Sequence, residues 1–273
     1  MASELAPLFQ SLDVRSPGVA WALGTRLLFF PDWLEGEWAL SDAKLEGVQT
    51  PLGRKFVNRN TPGVTKASAL CGFPDVGAEA RGPLEFHWRF VRSESLGGVV
   101  ADRAFNTRST VDGFLGFSSV QRVEYDPSRE PTRMSVVWST PRRDTRWGDQ
   151  GEESPHGLDR APASFPPAHS EISRDLRKAE LFINNRRGEC GVGPSGRREF
   201  RSLESFRQVT QAGGGGYVYD YATLTSFEEL EAQRLAVRQR LAAFVVPQES
   251  FYFEVLDRAT AIFDYSFVAT RVA

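Results

Sequence analysis

Three histidines, His87, His156 and His169, and two cysteines, Cys71 and Cys190, are the side chains of this sequence best suited to nucleophilic, general-base or metal chemistry. Their spacing supports none of it. No G-x-S-x-G elbow accompanies a histidine and an acid, and the two cysteines resemble no zinc motif. They are too few for a disulfide framework, although a single bridge stays open. His156 and His169 lie in a stretch rich in Pro, Gly, Ser and charge, and His87 alternates onto the polar face of "LEFHWRFVR", as a solvated surface histidine does. The run "GGGG" at 213–216 lacks the Lys and Ser/Thr of a phosphate loop, and "GVGPSG" at 191–196 reads as a turn beside Arg197 and Arg198. Acids and arginines are abundant on the strands, with no spacing that selects a carboxylate pair. No residue is therefore expected to be catalytic or to ligate a metal.

Binding chemistry is better represented. Trp88, Phe90, Trp138, Tyr219, Tyr221 and Phe267 fall on the apolar faces of alternating segments and form a candidate ligand pocket. An aromatic interior of this kind suits a pigment, a lipid or a tetrapyrrole. The alternative is that these bulky side chains fill the interior and leave no cavity. No cofactor is required by either reading.

The elements that must position these residues are strands. Period-two alternation runs through "LEFHWRFVR", "RMSVVWST", "YVYDYATL", "SFYFEVLD" and "AIFDYSFVATRV", with further strands at "GGVVADRAFNTRS", "VQRVEYD", "KAELFINNRR" and "REFRSLESFRQVT". Turn signals at 126–132, 191–196 and 213–216 separate them. Many strands at short spacing predict a mainly β, antiparallel barrel. One main helix is expected over 226–244, where Ser226 and Glu229 form a capping box and Pro247 follows. A short helix is expected at 18–30. Residues 1–33 read as an N-terminal extension and 34–273 as one barrel domain, with a long loop insertion at 141–170.

Composition limits the partners. A formal net charge of −2 and a pI near 6.0 argue against a generic nucleic-acid binder. No apolar run reaches the ~20 residues that span a bilayer, so a membrane-spanning protein is not expected. The N-terminus carries Glu4 and Asp13 and reads as neither a signal nor a transit peptide. Trp21, Phe29, Trp147 and Phe165 are candidate partner-contact residues, being large apolar side chains outside the strand pattern.

The stretch "FPDWLEGEW" contains Gly36-Glu37-Trp38 at the start of the first strand, and this resembles the Gly-x-Trp signature of lipocalin-like barrels. The resemblance implies that the glycine bends the chain into strand one and that Trp38 plugs the closed end. It also implies that an arginine of the last strand, Arg271 or failing that Arg258, stacks on the Trp38 ring. With "LEFHWRFV", "VVADRAFNTRS", "AELFINNRR" and "FRSLESFRQVT", the chain from about 28 to 272 resembles an uncharacterised lipocalin-like family of cyanobacterial and plastid proteins. Plant and algal members of that family are typically assigned to the thylakoid lumen. That resemblance implies a non-catalytic accessory protein or peripheral subunit of a photosynthetic membrane complex such as a photosystem, in the chloroplast thylakoid lumen. Stroma or cytoplasm is the alternative compartment. The alternative function is a ligand-handling lipocalin for a pigment, lipid or tetrapyrrole, in one form a bilin lyase or chaperone.

Overall fold

A computed structural model describes residues 3–16, 27–58, 61–64, 84–141, 174–212 and 215–272. Ten strands form one antiparallel meander: β1 (Gly36–Gln49), β2 (Phe86–Ser93), β3 (Gly98–Ala101), β4 (Val120–Glu124), β5 (Arg133–Pro141), β6 (Arg174–Val192), β7 (Arg198–Ala212), β8 (Gly215–Glu231), β9 (Arg234–Phe244) and β10 (Ala261–Arg271). Their order in the sheet is β3-β2-β1-β10-β9-β8-β7-β6-β5-β4. First and last strands therefore pair, Trp38 opposite Arg271, and the sheet curls on itself as a barrel does. Alternation explains the core. Trp38 and Leu40, Phe86 and Phe90, Met134, Val136 and Trp138, and Phe263, Tyr265 and Phe267 all point to the same buried interior.

The two edges, β3 and β4, do not pair with each other. Between them runs α1 (Arg103–Leu115), capped by the Asp102 carboxylate on the Phe105 amide and ended by Gly116 in the left-handed region at φ 76°. Its polar side chains replace the missing strand. Asn106 Oδ1 accepts from Arg89 N–H at 2.6 Å while Asn106 Nδ2 donates to Arg89 O at 3.1 Å, and Ser109 Oγ accepts from His87 N–H at 2.7 Å. On the other side Asp112 Oδ1 accepts from the amides of Ser119 and Val120, and Arg108 donates to Val120 O at 2.7 Å. Strand-edge groups that would be unsatisfied are thereby paired.

Three expectations need correction. Residues 226–244 are not a helix but the end of β8, a two-residue turn and β9. Both halves pair on both sides, Phe227 with Phe200 and Val237, and Leu241 with Thr223 and Phe263. Cross-strand burial outweighs the helix propensity of this Glu-, Leu- and Arg-rich run. The second correction is at "GGVVADRAFNTRS" (97–109), where only Gly98–Ala101 is strand and the stretch from Arg103 on belongs to α1. The third is "SFYFEVLD", which forms the short helix α2 (Tyr252–Val255) between β9 and β10. The helix expected at 18–30 falls partly on residues outside the described set. The described part, 27–30, is not helical, and Phe30 N–H donates to Val99 O at 2.9 Å.

Candidate functional site

Gly36, Trp38 and Arg271 come together at one end of the barrel. The Arg271 guanidinium carbon lies 4.6 Å from the centroid of the Trp38 ring. Its Nη1 donates to Glu35 O at 2.7 Å and its Nη2 to Trp33 O at 2.9 Å. Trp38 is 2% exposed, and its indole N–H donates to Leu34 O at 2.8 Å. Gly36 has φ +122°, and a Cβ there would stand 2.9 Å from Arg271 Nη1. Only glycine meets both conditions. Arg258 takes a different place, bridging Arg15.

A family model described as a domain of unknown function (DUF6816) matches residues 22–147. Comparison with curated proteins and with solved structures finds no match. The matched stretch holds β1 to β5 and α1, and so includes Gly36, Trp38, Trp88, Phe90 and Trp138 but not Arg271.

The candidate pocket residues belong to one buried cluster, in which Trp88 meets Phe267 at 6.3 Å between centroids. Phe90, Trp138, Tyr219, Tyr221 and Phe267 are each no more than 3% exposed, and Trp88 is partly buried. Phe90 meets Phe30 at 4.6 Å and Phe227 at 5.6 Å between centroids, Trp88 meets Phe227 at 5.9 Å, and Tyr221 stacks on Phe206 at 5.0 Å. These side chains are close-packed among their neighbours. One polar atom among them stands out: Trp138 Nε1 is buried with no hydrogen-bond partner, which is costly for an indole N–H. Arg177 lies opposite Trp138 in the β5–β6 register and spends its Nε on Thr140 Oγ1 at 2.9 Å.

Sequence reasoning missed the charges that penetrate the fold. Arg103 of α1 and Arg186 of β6 both pair with Glu204 of β7, and Arg186 also donates to Pro131 O. Burial and the Arg103 charge lower the Arg186 guanidinium, against the pull of Glu204. On the outer face Glu199 stands opposite Glu228, and burial above all pushes its carboxyl up, against Arg201 and Arg238. Glu228 accepts from the Ser195 amide at 2.8 Å. No local motif could have shown these groups, because register across strands makes them neighbours. His87 contacts the Glu37 carboxylate through Nδ1 at 2.7 Å on the half-exposed face.

Of the candidate contact residues, Phe29 is 43% exposed beside Gly98, whereas Trp21, Trp147 and Phe165 lie outside the described residues, as do Cys71 and most of the 141–170 loop. Cys190 is exposed and free. The most exposed large apolar side chain described is Phe253 of α2, at 83%. Its signal in the sequence was hidden because the alternation of "SFYFEVLD" mimics a strand. Among the described residues no helix is long and apolar enough to cross a membrane, and no cluster of three metal-ligating side chains occurs.

Proposed function

We propose that this protein is a non-catalytic accessory protein that works through protein–protein contacts, as a peripheral subunit of a photosynthetic membrane complex. The observation that carries the protein-contact reading is the tight burial of the interior aromatics: Phe90, Trp138, Tyr219, Tyr221 and Phe267 are each no more than 3% exposed. Aromatic side chains packed to that degree favour recognition on the outside of the barrel. The photosynthetic partner and the thylakoid-lumen compartment rest on the family resemblance of the sequence. Phe29 and Phe253, exposed apolar side chains, supply contact chemistry on the described surface. The test is native electrophoresis of solubilised membranes from the source cells, probed for the tagged full chain. Co-migration with one intact photosynthetic complex is expected. Migration as free protein while the complexes remain intact would sink the reading.

A second reading, a ligand-handling barrel for a pigment, lipid or tetrapyrrole, draws on one observation. Trp138 Nε1 is a buried donor without a partner, in the same interior as the aromatic side chains. A ligand carbonyl or carboxylate would complete it. Mass spectrometry of the natively purified protein before and after denaturation tests this. A released small molecule that is lost in Trp138→Phe supports it, and a bare chain rejects it.

A further inference from the structure

Trp138, Arg177, Ala212 and Gly215 stand side by side on β5, β6, β7 and β8. They mark the end of the barrel where β5 and β7 finish and β6 and β8 begin, opposite the end closed by Trp38 and Arg271. Arg177 faces the interior there. Ala179, Leu181 and Ile183 follow it at every second position and belong to the buried core. Its Nε reaches inward to Thr140, which is buried two positions beyond Trp138. Directly opposite residues of antiparallel strands have Cβ atoms about 5 Å apart, so the Trp138 and Arg177 side chains leave the sheet as neighbours. The polar atoms next to them on β7 and β8 pair among themselves. Gln208 Nε2 donates to Thr210 Oγ1 at 2.9 Å, and the Tyr221 hydroxyl donates to Gln208 Oε1 at 3.4 Å. Two donor groups remain: the Trp138 indole N–H, buried without a partner, and the Nη groups of Arg177. Arg103 and Arg186, the other interior arginines named above, share Glu204, whereas among the described residues Arg177 has no acid.

We propose that Trp138 and Arg177 form the head-group site of an interior ligand, and that this ligand is an apolar molecule carrying a carboxylate. The inference rests on the ligand-handling reading above, and names its ligand class and the residue that recognises the charge. A carboxylate presents two acceptor oxygens and no donor, one for the indole N–H and one for the guanidinium. A hydroxyl, a ketone or a water accepts from the indole but leaves the positive charge unanswered, which is costly away from solvent. Arg177 is only partly buried while Trp138 is 0% exposed, so the charge sits toward the rim and the indole deeper. The apolar body of the ligand belongs on the core side, where Tyr219 and Tyr221 are buried. Arginine suits the role better than lysine, because its planar fork aims several donors while its first nitrogen stays on Thr140.

The probes are palmitate and palmityl alcohol, which share a tail and differ in charge, titrated into the full chain by calorimetry. Palmitate is expected to bind saturably, and the alcohol at least about tenfold more weakly. In Arg177→Met the affinity for palmitate should fall to that of the alcohol, and Arg177→Lys should restore part of the difference. In a proton–nitrogen NMR spectrum the Trp138 indole signal, identified by its loss in Trp138→Phe, should move when palmitate is added. Equal binding of the two probes, or a palmitate affinity that survives Arg177→Met, overturns the carboxylate site while the ligand-handling reading stands. Binding of neither probe to the folded chain overturns both. Should Arg177→Met fail to fold, the two probes against the unaltered chain still decide.

Discussion

Arg271 ties the last strand to the turn before the first, through one ring contact and two backbone carbonyls. Its replacement by Leu removes two charge-assisted hydrogen bonds and the stack on Trp38, so a loss of about 3 kcal/mol in urea unfolding is expected. Lys at the same position should recover only part of it, because an ammonium cannot fork to two carbonyls while lying flat on the ring. Glu204→Gln is a harsher test, since it leaves Arg103 and Arg186 facing each other without their shared anion. A loss of about 3–5 kcal/mol is expected by the same measurement. These two sites differ in how far the sequence discloses them. Gly36 and Trp38 sit in one short motif, and that motif points to an arginine in the last strand. Glu204 meets a partner 101 residues away, and only the register of β6 on β7 and the placement of α1 make the pair.

Elements were legible where one face is apolar and the other polar, as in β2, β5 and β10, because a single period dictates both strand and burial. The β8–β9 hairpin was not, because its turn at 232–233 is Ala-Gln, without a turn signal, between segments rich in helix formers. Helix α1 was obscured for the opposite reason: Asn106, Ser109 and Asp112 are poor helix residues chosen for the strand edges they complete. Asn106→Ala should therefore cost about 1–3 kcal/mol despite improving helix propensity, by leaving the Arg89 amide without its acceptor, while Arg89 O keeps the Asp102 amide. Faster hydrogen exchange confined to the Arg89 amide and its neighbours checks it. The N-terminal segment 3–16, whose Glu4 and Leu5 amides donate to Glu189 of β6, adds a pH dependence. Burial pushes the Glu189 carboxyl up, but the Ser3 hydroxyl, the Leu5 and Glu4 amides and the Arg201 charge together hold it below the usual carboxylate range. Such a group stabilises the fold above its unfolded value near ~4.3 and loses that contribution as pH falls through the lower folded value. Acid should then release residues 3–16 before the strands open, seen as earlier loss of amide protection in that segment. In Glu189→Gln that acid step should be absent.

At the scale of the whole molecule, the meander brings its two ends together: β1 pairs with β10, residue 38 against residue 271, while every other strand pair joins sequence neighbours. The closing pair carries the largest loop-closure cost and forms on a template that β2 and β9 already present on either side. Hairpins along the chain need no such closure and can assemble first. The transition state for folding should accordingly contain the consecutive hairpins and lack the β1–β10 seam. Arg271→Leu, which weakens that seam, should speed unfolding by most of its equilibrium effect while leaving the refolding rate nearly unchanged. A substitution inside the β8–β9 hairpin, Val237→Ala, should do more to refolding, since Val237 packs between Phe227 and Phe267 in the register of three adjoining strands. Stopped-flow folding and unfolding in urea separates the two. Equal slowing of refolding by both variants would mean that the ends of the chain meet before its hairpins are built, and that closure, rather than local pairing, organises this barrel.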